Sequence, residues 1–311
     1  MILCGEPIEP GQRKKVLLPV PGADPFPAAL FCGRKPGKTL VVTAGVHGCE
    51  YVGVETLRRL TEELSPETLT GNVVLAPLMN AGGFYAGAKQ IVPADGQNLN
   101  RAFPGKASGG LSARLAAAVE AVLYPAANFL ADLHGGDVNE NLNPLVFFPV
   151  CGEAEVCRKA LAAARELTVP YRVRSTAKNG LYSWAVQKGI PAVLIERGGQ
   201  GLWSEEEVSA CREDVFALMR HLEILSGENP ARSQREIAET VYEEAPSEGL
   251  WYPSSLALGK RVRRGETLGA LKKLSGETVK EVYAAFDGVV LYYTTALGVC
   301  GGDPLVAYGR I

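Results

Sequence analysis

Along the first 225 residues, apolar runs of strand length alternate with longer stretches of helical period, and this alternation constrains the fold more than any other feature of the chain. The strand-type runs are "KTLVVTAGV" (38–46), "NVVLAPLM" (72–79), "NFLADLH" (128–134), "LVFFPV" (145–150) and "PAVLIERG" (191–198). Between and after them come "EYVGVETLRRLTEEL", "SARLAAAVEAVLY", "EAEVCRKALAAARELT" and "SEEEVSACREDVFALMRHLEIL". The first of these places Val52, Leu57, Leu60 and Leu64 near one stripe, and the last opens with the Ser-x-x-Glu pattern of a capping box at Ser204. Strands alternating with helices predict an α/β domain over residues 1–225, with a mixed, largely parallel sheet flanked by helices.

After Leu225 the pattern changes. "SGENPARSQRE" reads as a linker, and from there short β-type runs are broken by glycine-containing turns such as "RRGETLG" and "FDG". Residues 236–311 are therefore expected to form a small all-β domain. At 47% hydrophobic, 21% charged and a formal net charge of −2, the chain has core enough for both units and no basic excess to suggest nucleic acid. No apolar run reaches the length of a membrane span or a signal peptide, so a cytoplasmic location is expected. Seven scattered cysteines without a CxxC predict free, packed thiols. A homo-oligomer is compatible with the sequence.

The chemistry gathers where strands end, which is where open α/β sheets bind ligands. His47 and Glu50 in "GVHGCE" follow one apolar run, and His134 ends another, 84 residues beyond Glu50 (134 − 50). Two histidines and a glutamate make an open three-ligand site suited to one Zn²⁺ ion per chain, with the fourth position left for water. HxxE alone is a weak motif, and a histidine at a strand end is commonly a hydrogen-bonded structural residue. The third histidine, His221, falls inside the last helix and reads as a packing or surface residue. Glu196, ending "AVLIE", is a candidate base for metal-bound water, and the glycines after it would let a substrate approach. Its bland alternative is pairing with Arg197 or capping. In "DGQNLNRAFPG", Asn98, Asn100 and Arg101 lie on a loop suited to carboxylate recognition, unless the asparagines only hold turns. Asp132 is expected on the strand face opposite His134, with a buried acceptor as its simplest role and orientation of a zinc histidine as the other. Cys49 is expected to pack.

Taken together and in this order, "GVHGCE", "NLNRAFPG", "DLHGGD" and "IERGGQG" resemble the succinylglutamate desuccinylase and aspartoacylase family, a branch of the zinc carboxypeptidase superfamily. The tail from "APSEGLWYP" to "VVLYY" is similar to the small, barrel-sandwich-like β domain of bacterial members. The resemblance implies that His47, Glu50 and His134 bind zinc. It also implies that Glu196 acts as general base, that Asn100 and Arg101 bind a substrate carboxylate, and that Arg101 helps polarise the carbonyl. The implied reaction is hydrolysis of a small N-acyl amino acid or related N-acyl amine by metal-activated water. Gln90 stands where many members have an arginine, with Lys89 beside it, so an acidic substrate does not follow. One of Tyr283, Tyr292 and Tyr293 could reach the cleft. The tail also resembles biotinyl and lipoyl carrier domains, but "KKLSGET" lacks their modified-lysine setting. The alternatives are a zinc carboxypeptidase acting on short peptides, which a β domain covering the cleft would disfavour, and a non-catalytic metal- or small-molecule-binding protein.

Overall fold

The computed structural model describes the whole chain, Met1 to Ile311. Its centre is a nine-stranded sheet whose strands run, edge to edge, Arg235–Ile237, Tyr171–Ser175, Leu145–Pro149, Ala192–Glu196, Phe129–His134, Lys35–Ala44, Thr70–Ala76, Ala23–Cys32 and Arg13–Val20. Five neighbouring pairs are parallel. Three are antiparallel, two of them at the N-terminal edge. The expected mixed, largely parallel sheet is what forms.

The central strands are apolar on both faces because both faces are covered. Phe129, Ala131 and Leu133 point toward the helices Tyr51–Glu63 and Glu205–His221, in one core with Val52, Leu57, Leu60, Val215 and Leu218. The alternate residue Leu130 faces the opposite core, with Leu115 of the helix Leu111–Ala118 and Leu181 of the helix Leu181–Gln187. Ser204 does cap the last long helix, its hydroxyl accepting from Glu207 N at 3.2 Å. The predicted helix through Tyr124 is α-helical only to Ala118, and then passes through a π-type turn, Val119–Leu123, just ahead of Pro125.

The C-terminal residues fold as two small sheets. One orders Thr240–Glu244, Pro304–Arg310, Gly288–Thr294 and Arg261–Val262, and the other Thr278–Tyr283, Thr267–Lys272, Gly249–Pro253 and Gly298–Val299. Trp251, Leu268, Leu271, Phe286 and Tyr308 form the core between them. Lys273 at the hairpin tip pairs with Glu277 at 2.9 Å.

This unit is not hung on a free linker. The expected boundary at 236 falls inside Arg235–Ile237, which pairs in parallel with Tyr171–Val173 of the large sheet. Across the junction, Leu145, Val173 and Ile237 share a buried cluster with Val289, Leu291 and Ala307. The short strand Glu140–Leu142, which follows His134, extends the C-terminal sheet by pairing with Tyr292–Thr294. The two sheets are thus fixed against each other by hydrogen bonds and apolar burial alike. No helix is long and apolar enough to cross a membrane.

Candidate active site

Two adjacent parallel strands set the site. Their register puts Glu196 beside His134 at the carboxyl ends, and His47 and Glu50 follow the next strand, whose Ala44 is level with Leu133. Residues two apart on a strand share a face, so Leu130, Asp132 and His134 point the same way. The expectation that Asp132 faces away from His134 is therefore corrected: Asp132 Oδ2 lies 3.0 Å from His134 Nε2, and its Oδ1 accepts from the Thr43 hydroxyl at 2.6 Å.

The ligand atoms offered by His47, Glu50 and His134 lie within 4.8 Å of one another, and all three residues are buried. Glu50 bridges the imidazoles: its Oε1 is 2.7 Å from His47 Nδ1 and its Oε2 is 2.8 Å from His134 Nδ1. The far nitrogens are also held, His134 Nε2 by Asp132 and His47 Nε2 by Asn98 Oδ1 at 3.1 Å. With each Nε2 facing an oxygen acceptor, both Nδ1 atoms are left to face Glu50, the arrangement that outer partners impose on metal-binding histidines. Glu50 Oε2 is buried without a hydrogen-bond partner despite its closeness to His134. A buried carboxylate oxygen left without a hydrogen bond beside an imidazole nitrogen, in a residue that reaches a second imidazole through its other oxygen, fits a cation. The electrostatics agree. Burial alone would raise the Glu50 carboxyl, but His47 and His134 reverse this and hold it at about 2. Burial opposes charge on His134, yet Asp132 and Glu50 lift its imidazole well above the usual range.

Glu196 is not paired with Arg197. That guanidinium turns away to Asp214 at 2.7 Å and to the Thr168 hydroxyl at 2.5 Å. Glu196 Oε2 has no partner, and burial, which outweighs the nearby His134, pushes its carboxyl well above the ordinary value. The glycines after Glu196 serve packing rather than substrate approach. Gly198 has a φ of +76°, and a Cβ on Gly199 would meet the Glu140 carbonyl at 2.5 Å.

These groups open into a cavity of about 490 Å³, whose walls include Asn98, Asn100, Arg101 and Gln90. Asn98 caps the short turn Leu99–Arg101, its Oδ1 accepting from Asn100 N at 2.8 Å. Asn100 Oδ1 accepts from Leu181 N at 2.9 Å, which leaves the amide NH₂ of Asn100 for the cavity. Arg101 is exposed and donates to the Asn100 carbonyl at 2.8 Å. The first of the C-terminal sheets adds Tyr242, Glu244 and Tyr292 to the lining. Tyr292 is thus the expected cleft tyrosine. Tyr283 is on the exposed surface against Glu281, and the Tyr293 hydroxyl accepts from Asn141 Nδ2 at 2.9 Å. Tyr242, Glu244 and Glu140 were not foreseen, and no local pattern marks them. Cys49 is packed as expected, its thiol donating to Asp137 Oδ1 at 3.0 Å. His221 is outside the site, 3.9 Å from Glu166.

A sheet with this order, covered by helices and carrying a His-Glu-His cluster at its strand ends, is the architecture of a known hydrolase class. A model of the succinylglutamate desuccinylase/aspartoacylase catalytic domain matches residues 36–222, and the chain belongs to that family. Among curated proteins it is 28% identical to the N-alpha-acetyl-L-2,4-diaminobutyric acid deacetylase of Halomonas elongata, over 89% of this chain and 84% of that one. The product-bound ectoine utilization protein EutE (DoeB) of Ruegeria pomeroyi superposes with a TM-score of 0.88 at 24% identity, covering 98% of each chain. A succinylglutamate desuccinylase/aspartoacylase structure from Rhodobacter sphaeroides gives 0.86 at 24% identity, covering 97% of this chain and 96% of that one. These two likenesses speak to the fold, including the C-terminal sheets.

Proposed function

We propose that the chain is a metal-dependent amidohydrolase that removes the acyl group from a small N-acyl amino acid, with His47, Glu50 and His134 as ligands of one zinc ion. The observation that carries this reading is the meeting of those three side chains with an unpaired Glu196 in one cavity of small-molecule size. The 28% identity to a deacetylase of an N-acetylated diamino acid supports the same reaction type. Zinc held there supplies an activated water and polarises the acyl carbonyl.

The chain's own groups do the rest. Asp132 and Asn98 fix the two imidazoles so that both present Nδ1. Glu196, with a free Oε2 and a raised proton affinity, accepts the proton of the attacking water and delivers it to the departing amine. Arg101 and the Asn100 NH₂ receive the substrate's α-carboxylate, and Arg101 adds positive charge near the acyl oxygen. The wall of Tyr242, Glu244 and Tyr292 narrows the cleft, which favours small substrates over peptides.

The test is primary-amine release by zinc-loaded protein from a panel of N-acetyl, N-succinyl and longer N-acyl amino acids beside short free-carboxylate peptides. Release from N-acyl compounds alone, abolished by a chelator, is the expected result. Cleavage confined to the peptides would establish the carboxypeptidase alternative instead.

A further inference from the structure

The row of side chains that carries the reactive groups does not stop at Glu196. Across three neighbouring strands His134 is level with Glu196, and Glu196 with Leu145; one step back on the same face, Asp132 is level with Leu194, and Leu194 with Phe147. Neighbouring strands stand about 4.8 Å apart. Within two strands, therefore, the sheet face passes from the metal cluster, through the proposed base, to aliphatic and aromatic side chains, and Leu145, Phe147 and Leu194 all line the cavity.

Packing ties this floor to the walls beside it. Phe147 packs against the buried cluster that holds Leu194 and Tyr182, and also against the one that holds Leu145, where Tyr292 packs as well. The Tyr292 ring lies 6.2 Å from that of Tyr242. Six uncharged side chains of the lining thus form one recess, and the Tyr182 hydroxyl within it is satisfied by Ser175 Oγ at 2.5 Å. The carboxylates of the same lining have other settings. Glu50 and Glu196 belong to the reaction, and Glu140 accepts from Asp137 N, whose own side chain accepts from the Cys49 thiol beside Glu50. Glu244 is exposed.

The reaction decides which part of a substrate enters the recess. Glu196 passes its proton to the departing amine, so the amino-acid half lies on the Glu196 side and the acyl half at the metal. The carboxylate anchor is on the same side, because Asn100 Oδ1 accepts from Leu181 N at 2.9 Å, one residue before Tyr182. Carboxylate and side chain hang from one carbon, so a carboxylate held by Asn100 and Arg101 leaves the side chain to the recess.

We propose that Leu145, Phe147, Leu194 and Tyr182, closed over by Tyr242 and Tyr292, form the side-chain subsite of this cavity, and that the substrate class is N-acyl amino acids with a large apolar side chain. This rests on the deacylase reading of the same cavity. Such a side chain gains by leaving water, whereas a charged one would lose its hydration among six uncharged neighbours.

Zinc-loaded protein is assayed on N-acetyl-L-leucine and N-acetyl-L-phenylalanine beside N-acetyl-L-alanine, N-acetyl-L-aspartate and N-α-acetyl-L-2,4-diaminobutyrate. The leucine and phenylalanine compounds are expected to exceed the alanine compound in kcat/KM by about 10- to 100-fold, with both charged substrates at or below alanine. Phe147→Ala should lower the leucine-to-alanine ratio about 10-fold. The ratio is taken within one preparation, so loss of folded protein does not mimic the effect. Tyr242→Ala, at a position 45% exposed, should lower the same ratio without endangering the fold. Equal rates on alanine, leucine and phenylalanine, a charged substrate ahead of both apolar ones, or an unchanged ratio in the two variants would overturn the subsite. If none of the five is cleaved, the deacylase reading fails, and calorimetric titration with free L-phenylalanine and L-alanine decides the subsite by itself. Tighter binding of phenylalanine, weakened in Phe147→Ala, supports it; equal or undetectable binding of both overturns it.

Discussion

His134 and Glu196 stand side by side because two apolar strands run parallel in register and both end there. Glu140, Tyr242, Glu244 and Tyr292 line the same cavity by a different route, in which a short strand after His134 is recruited into the C-terminal sheet and a register shift falls between Glu243 and Glu244. The first wall is set by local pattern and sheet topology; the second depends on contacts between segments 100 or more residues apart, such as Tyr292 with Leu142. The difference teaches where each property of the site is encoded. The groups proposed to react lie at the centre of the large sheet, and those that line the facing part of the cavity lie on the junction with the C-terminal sheet.

That contrast can be broken at either wall. The largest effect is expected at the sheet end: His134→Ala should remove stoichiometric zinc and turnover together, while circular dichroism stays that of the folded chain. Retained zinc would move the metal site elsewhere. Next, Leu291→Ala hollows the cluster shared by the two sheets and should cost about 2–5 kcal/mol in denaturant unfolding. Because the junction is one core, a single transition is expected, and two separated transitions would show that the C-terminal unit folds independently. A smaller effect is expected from Asp132→Asn, which keeps the shape but weakens the acceptor for His134. Zinc affinity should fall roughly 10- to 100-fold, read by competition with a chelating dye. An unchanged affinity would leave Asp132 with no role in orienting His134.

How much of this was legible in the sequence follows the same line. His47, Glu50, His134 and Glu196 could be placed because each closes or follows an unbroken apolar run, the signature of a strand covered on both faces. The face of Asp132 is also legible, since the period of two puts it with His134. The N-terminal strands were hidden for a physical reason. Arg13–Val20 is an edge strand that alternates exposed and buried positions through charged residues. Ala23–Cys32 carries Pro25 and Pro27 in the part that pairs on one side only, as its partner Thr70–Ala76 begins to pair at Ala29. Tyr171–Ser175 reads as polar because its arginines pair with Glu236. Glu244 had no signal at all, because a bulge is a property of two strands in register rather than of either sequence.

The central claim is that the strand-end cluster performs metal-assisted amide hydrolysis with Glu196 as its base. It is tested most directly by measuring kcat on a cleaved N-acyl amino acid and zinc content in the same preparation of Glu196→Gln. One zinc per chain is expected, as in the parent protein, with kcat reduced about 10²- to 10⁴-fold. Full zinc with undiminished kcat would contradict it.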